Sequence, residues 1–593
     1  MYKAQQSKRK TQISRTFSVP SPVGGLNARD SLAEMDPKDA VILDNFYCTP
    51  YDVMVRYGFS VWASGITGTV NSLWSYSPPA GSIKMFAAAG ANVYDASASG
   101  AVGSPVAAGC GSDIWQDVNF GTAGGNFLIA VNGIDLPLVY NGTGMGNIFA
   151  SAFNTAVTSL TSVGTLATAT MAAAHNLKTG MTVVVSGFTP AGYNGTYVIT
   201  VTGANPFTYV LAGALGVVTV TGIITPSANF AITGINPALF INATVHQSRL
   251  WFVEKTSLRI WYLPTLSIGG LAVSIDFSGA FNRGGYLMAM GSWSLDAGAG
   301  MDDYAAFVTS EGQVAIYKGS DPASATTWAR VGIFDIGSPI GRRCFTKYAG
   351  DLTLISKDGL APLSKALMSS RVNSREMLTD KAQRIMSEYT TFYANNPGWE
   401  VQLFPKENML LMNIPISSTQ SYQLVMNTIS GAWSQFKGWN AACFVLHGDQ
   451  LYFGTSTGVR KAWDTQTDND LNISFEAEQS FNYFGTQSQL KQVKMLRPVI
   501  STDGNVGILL GVNVDFDTSE PDGIATFTAS VSSLWDSSLW DVGIWSGALT
   551  IKKDWQTAFG LGFCVAAHMK GSLSNSKLRW AATDYLVEAG GVV

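Results

Sequence analysis

Charge is scarce in this chain. Only 13% of its 593 residues are Asp, Glu, Lys or Arg, against about 25% in an ordinary soluble domain. Faces covered by neighbouring subunits would produce that deficit, and so would large, well-filled β cores. Histidine is scarcer still, with His175, His246, His447 and His568 the only four, none in an i, i+4 pair or an HExxH, so the common zinc-hydrolase pattern is missing. The five cysteines (Cys48, Cys110, Cys344, Cys443, Cys564) lie far apart without a CxxC. That excludes the usual zinc spacings and suits reduced, buried thiols. Phosphate loops of the Walker A type, GxSxG elbows and GxGxxG turns between strand and helix do not occur either. The opening MYKAQQSKRKTQISR is basic but has no apolar stretch of a secretory leader. No uninterrupted apolar run of about 18 residues is present, so no membrane segment is expected. A net charge of −4 argues against a protein that coats nucleic acid. It leaves room for a channel through which DNA merely passes, since strong phosphate binding would slow transit.

What is plentiful favours sheet: 61 glycines and 11% aromatics. Phe240 to Gly359 shows the plan most clearly. Short alternating runs at Arg249 to Val253, Tyr304 to Thr309 and Leu352 to Ser356 each meet a turn of Lys-Thr-Ser, Glu-Gly or Lys-Asp-Gly. A second run follows each turn, which marks hairpins of half-buried strands. Hairpins recurring every few tens of residues without helices between them are the sequence form of a β-propeller. Two earlier units share the plan and end alike, in Val93-Tyr94 and Val139-Tyr140.

In order, residues 1–60 read as an N-terminal arm and extended segment, basic and polar to about residue 18. Within it Asp36-Pro37 predicts a helix start and Lys38 to Leu43 a short helix. Residues 61–150 read as the first part of the propeller. Residues 151–235, rich in Thr, Val, Ala and Gly, read as an inserted all-β domain with strands at Met181 to Ser186, Gly195 to Thr202 and Phe207 to Leu211. His175 falls in a turn there and reads as solvated or capping. Residues 236–468 read as the rest of the propeller, interrupted near 380–393 by a stretch without Gly or Pro that predicts a helix capped by Thr379 or Asp380. Residues 469–593 read as a C-terminal β-sandwich-like domain, with Trp535, Trp540 and Trp545 spaced five apart. The fold class is mainly β. Asp296, Asp302 and Asp303 sit in a Gly-rich loop too loosely spaced for a calcium loop, so no metal, cofactor or catalytic residue is assigned.

GGLNARDSLAEMDPKDAVILDNF followed by Arg56-Tyr57-Gly58 resembles the opening of the tail nozzle (tail tubular protein B-like) family of short-tailed bacteriophages. RLWF, WYLP, GGYLMAMGSWSLDAGAGMDD, GQVAIYKGSDP and IGSPIGRRC follow in that family's order, so the resemblance covers about 20–145 and 235–470. It implies a structural virion protein of the tail, assembled in the host cytoplasm. The copies would form a hexameric ring below the tail adaptor, with tail fibres or spikes as further neighbours. Double-stranded DNA would cross the lumen without sequence recognition, held during packaging and released at ejection. Candidate subunit or adaptor contacts are Lys8, Arg9 and Lys10 in the arm, Arg29 and Asp30 in the motif, and Arg342 and Arg343 further on. Such an Arg pair is more often a strand-edge charge that blocks stray pairing. Two rivals stand beside this reading: a carbohydrate-binding tail adhesin, which sixteen tryptophans permit, and a propeller-borne polysaccharide enzyme.

Overall fold

The computed structural model describes residues 14–153, 155–296, 301–324, 326–368, 374–521, 523–527 and 549–592. Strands dominate, and they group into a propeller with an inserted β domain and a terminal β-sandwich.

Among the described residues seven hairpin units circle one axis. Their innermost strands are Val70–Tyr76, Gln116–Thr122, Phe240–His246, Leu287–Asp296, Phe345–Tyr348, Glu400–Phe404 and Cys443–His447. Each touches the next, and the last touches the first. The blades form where the alternation predicts them: one face of each strand packs on the blade before it and the other on the blade after. Large aromatics fill the gaps between blades. Trp74 meets Trp115 edge-on at 5.6 Å between the first two blades, and Trp251 stacks on Trp328 at 5.5 Å between the third and fourth. Burying side chains of this size stabilises by about 2–3 kcal/mol each.

The ring is closed by the chain's early residues. Phe59–Ser64 adds to Gly458–Ala462 of the seventh blade, with Ala462 opposite Phe59. Just before that strand, the Arg56-Tyr57-Gly58 motif has a structural task. The Arg56 guanidinium donates to Asp468 at 2.6 and 2.8 Å and to the Lys437 carbonyl at 2.6 Å. Gly58 passes so close to the chain that a Cβ there would lie 1.9 Å from the Thr467 carbonyl oxygen.

The N-terminal segment is not a separate unit. Ser14–Pro20 pairs with the strand Leu578–Val592, Ser14 opposite Glu588 and Pro20 opposite Ala582. Val53–Val55 pairs with the same long strand at Trp580, and Asp39–Asp44 pairs with Ile473–Gln479. Residues from both ends of the sequence therefore build one sandwich, whose core includes Phe46, Phe475, Trp580 and Tyr585. From Ser14 onward the basic N-terminal arm is a sheet strand. The predicted helix Lys38 to Leu43 is corrected. Asp36 does accept the Lys38 amide at 2.8 Å, as a helix cap would, but pairing with Ile473–Gln479 overrides the local preference and the chain leaves the turn as a strand. That strand also touches Trp433–Lys437, the outer strand of the sixth blade, at Asp44 opposite Gln435. Sixth blade and sandwich thus share one ten-stranded sheet.

The inserted domain is a six-stranded sheet leaving and re-entering the second blade, from Val157–Val163 to Ile223–Pro226. His175 is buried there rather than solvated. Its Nδ1 accepts the Leu177 amide at 3.0 Å, so the capping half of the expectation is met. Gln383–Tyr393 is an α-helix preceded by a 3-10 turn at Asp380–Ala382. Neither expected capper bonds the helix: the Thr379 hydroxyl accepts the Leu360 amide instead, and Asp380 pairs with Arg29. Among the described residues no helix is long and apolar enough to cross a membrane.

Candidate functional site

All seven inner strands face a narrow axial hollow of about 270 Å³, lined from Leu73 of the first blade round to Phe444 of the seventh. Above it, where several inner strands begin, a second cavity of about 330 Å³ opens between Ile114, Ile134, Lys255, Arg342, Pro397 and Trp399. Gln116, Arg342 and Arg343 line both, so the two hollows form one funnel along the axis.

Arg343 stitches the funnel together. Its Nη1 donates to Glu400 Oε2 at 2.9 Å. Its Nη2 donates to the Asn71 carbonyl at 3.1 Å, Ser72 Oγ at 2.7 Å and the Trp115 carbonyl at 3.1 Å. Glu400 Oε1 accepts the Phe444 amide. One ion pair thereby ties the fifth, sixth, seventh and first blades and the lead-in to the second. Burial pushes the Glu400 carboxyl up, while Arg343 and the Phe444 amide pull it back. Arg343 is held above its ordinary value, the effect of burial being outweighed by Glu400 and its other neighbours. Below them Asp117 is wetted by the hollow yet surrounded by protein. Desolvation pushes its carboxyl up to about 6, with Arg343 opposing and Glu400 adding.

Arg342 differs from its neighbour. Among the described residues no hydrogen bond or ion pair engages its guanidinium, and burial pushes it below its ordinary value, opposed by the Tyr286 hydroxyl. The Gln116 Nε2 atom is buried without a partner, although Gln116 Oε1 accepts from Asn242 at 3.5 Å.

Of the other predicted contact residues, Lys8, Arg9 and Lys10 lie outside the described residues, as do Trp535, Trp540 and Trp545. Arg29 grips Asp30 through two bonds of 2.7 and 3.0 Å and pairs with Asp380. Asp30 is held down at about 2, chiefly by Arg29 and then by Asn27. Beside them Lys381 reaches Asp39 at 2.7 Å. This cluster latches the N-terminal segment onto the helix lead-in, so Arg29 and Asp30 have partners within the chain, as Arg343 has. The residues that complete the funnel, Glu400, Asp117, Gln116 and Lys255, carry no sequence motif. Gln116, Asp117 and Glu400 stand at the starts of inner blade strands and Lys255 in the turn after Arg249–Glu254, the only signal that would have found them.

No family model and no curated protein sequence matches the chain. Similar solved structures are propellers and other β-rich proteins. The crystal structure of BBS1N in complex with ARL6DN matches at 9% identity and a TM-score of 0.24, covering 58% of this chain and 89% of that one. YCF48 bound to a D1 peptide matches at 9% and 0.25, covering 70% and 96%. The endosialidase of phage phi92 matches at 11% and 0.21, covering 70% and 68%. None of these three is a tail nozzle, and overlays this loose say nothing about the site.

A larger hollow of about 840 Å³ lies at the seam between the second blade and the inserted domain. Its lysine, Lys178, is neutralised by Asp135 at 2.9 Å and donates to the Gly109 carbonyl. The axial funnel, with an unpaired cation, is the better-equipped site.

Proposed function

We propose that this chain is a structural virion protein, a nozzle subunit that forms a ring and continues the DNA channel of a short phage tail. Six copies would surround the lumen below the tail adaptor, retaining the genome and releasing it at ejection. The observation that carries the reading is the ordered set of nozzle-like motifs across 20–145 and 235–470. The parts those motifs fold into suit a load-bearing role. GGLNARDSLAEMDPKDAVILDNF and Arg56-Tyr57-Gly58 lie at the seam where the sandwich joins the propeller, and the shared ten-stranded sheet makes that seam stiff. The sandwich also exposes Ile551, Phe559 and Leu561, apolar surface of the kind that closing contacts between ring subunits bury. No catalytic step belongs to this reading.

The test is the mass and class-averaged shape of the purified chain, alone and with tails carrying an antibody label against it. Rings of about six copies, or label at the distal tube of the tail, support a nozzle. A trimer at fibre tips would overturn it in favour of a carbohydrate-binding adhesin.

A further inference from the structure

We propose that the mouth of the axial funnel binds a small organic carboxylate that carries an apolar body. Three observations converge on it. The first is charge. Lys255, Arg342 and Arg343 line the upper cavity and no Asp or Glu does. Arg343 is engaged by Glu400 from below, and Lys255 donates to the Gly133 carbonyl at 3.1 Å. Of these three cations only Arg342 has no partner for its guanidinium among the described residues. A half-buried guanidinium without a carboxylate is costly to maintain, and its planar pair of N–H groups matches a carboxylate in bidentate fashion.

The second observation is an unmet donor. Gln116 lines both hollows, and its Nε2 is buried without an acceptor. Fifteen buried side-chain polar atoms lack a partner among the described residues, and Gln116 Nε2 is the one that belongs to a residue lining the funnel. An oxyanion held by Arg342 brings acceptor oxygens to the same wall.

The third is the rest of the wall. Ile114, Ile134, Pro397 and Trp399 line the same cavity, and the two isoleucines are exposed. At about 330 Å³ the space is at the small end of the range for ligand pockets. An inorganic ion would leave this apolar wall bare. A ligand with an aromatic or branched aliphatic body next to its carboxylate would cover it. The site needs no second subunit and is independent of the nozzle reading.

The experiment titrates the full chain with 3-phenylpropionate by calorimetry, beside its neutral amide, acetate and inorganic phosphate. The expected result is saturable binding of 3-phenylpropionate, with the amide and acetate each at least about tenfold weaker. Arg342→Gln should reduce carboxylate binding by a similar factor while leaving the thermal midpoint close to that of the parent. Should Arg342→Gln fail to fold, Ile134→Ser at the exposed rim serves in its place. It should weaken 3-phenylpropionate several-fold and leave acetate unchanged. Equal binding of acid and amide, phosphate binding more tightly than the carboxylate, or no carboxylate binding up to about 10 mM would each overturn the proposal. So would parent-like affinity in folded Arg342→Gln or, where that variant does not fold, in Ile134→Ser.

Discussion

The propeller axis and the terminal sandwich solve one problem by opposite chemistry. Each must hold together strands that lie hundreds of residues apart. At the axis the tie is an ion pair, Arg343 with Glu400, surrounded by backbone carbonyls and the axial hollow. In the sandwich the tie is apolar: Trp580, Tyr585, Phe46 and Phe475 pack together, and backbone pairing joins residues 14–20 to 582–588. The first kind of tie is directional and fails badly when half of it is removed. The second is diffuse and loses stability in proportion to the volume deleted.

That difference sets the size of several effects. Arg343→Met leaves Glu400 buried without its cation and should cost about 3–5 kcal/mol, read as a lowered denaturant midpoint. Adding Glu400→Met should recover most of that loss, because two apolar groups replace the pair. If the double variant is no better than the single, the axis is held by packing and the contrast fails. Trp580→Ala should cost about 3–4 kcal/mol from its cavity and the loss of its indole N–H, which is shared between the Ala582 carbonyl and the Thr583 hydroxyl, with no second-site charge change able to restore it.

Glu478 is a buried carboxylate of the sandwich, set beside Asn513 and opposite His568. Its Oε1 accepts from Asn513 at 2.8 Å, and its Oε2 is buried without a partner. Desolvation pushes it up to about 7, with Asn513 opposing and Asp517 and Glu476 adding. The folded chain therefore keeps this proton to about pH 7, whereas the unfolded chain releases it near 4.5. Stability from the site is fully present below 4.5 and is lost as pH rises through 7. Glu478→Gln should flatten that fall and raise stability at pH 8 by about 2–3 kcal/mol, measured as melting temperature against pH. A parallel pH profile in the variant would show the sandwich to be indifferent to this charge. The smallest effect belongs to removal of residues 1–13, which precede the first sandwich strand. Stability should change by no more than about 0.5 kcal/mol, while incorporation into tails should fall. Unchanged incorporation would end any assembly role for Lys8, Arg9 and Lys10.

Local pattern carried the hairpins, since alternation and turn residues act over a few positions. The strand Asp351–Ser356 and its partner Gly359–Pro362 stand where Leu352 to Ser356 and Lys-Asp-Gly predict a hairpin. Pairings such as Ser14 with Glu588 leave no trace in local pattern, so the sandwich could not be assembled from the sequence. Asp36-Pro37 shows the converse: a sound capping signal was overruled by a strand partner from Ile473–Gln479. The Arg342–Arg343 pair was visible, but not its division of labour. Arg343 finds its partners at Ser72, Trp115 and Glu400, all distant in sequence, while Arg342 finds none among the described residues.

Ring closure through Phe59–Ser64 also fixes an order of events during synthesis. The strand that seals the seventh blade leaves the ribosome some four hundred residues ahead of its partner Gly458–Ala462. At about 5–20 residues per second, the nascent chain waits tens of seconds with an open blade edge. The N-terminal strands wait longer still, until residues 578–592 emerge. During that interval each growing chain offers an unpaired strand to its neighbours on the same message. Crowded translation is therefore where misassembly of this protein would begin.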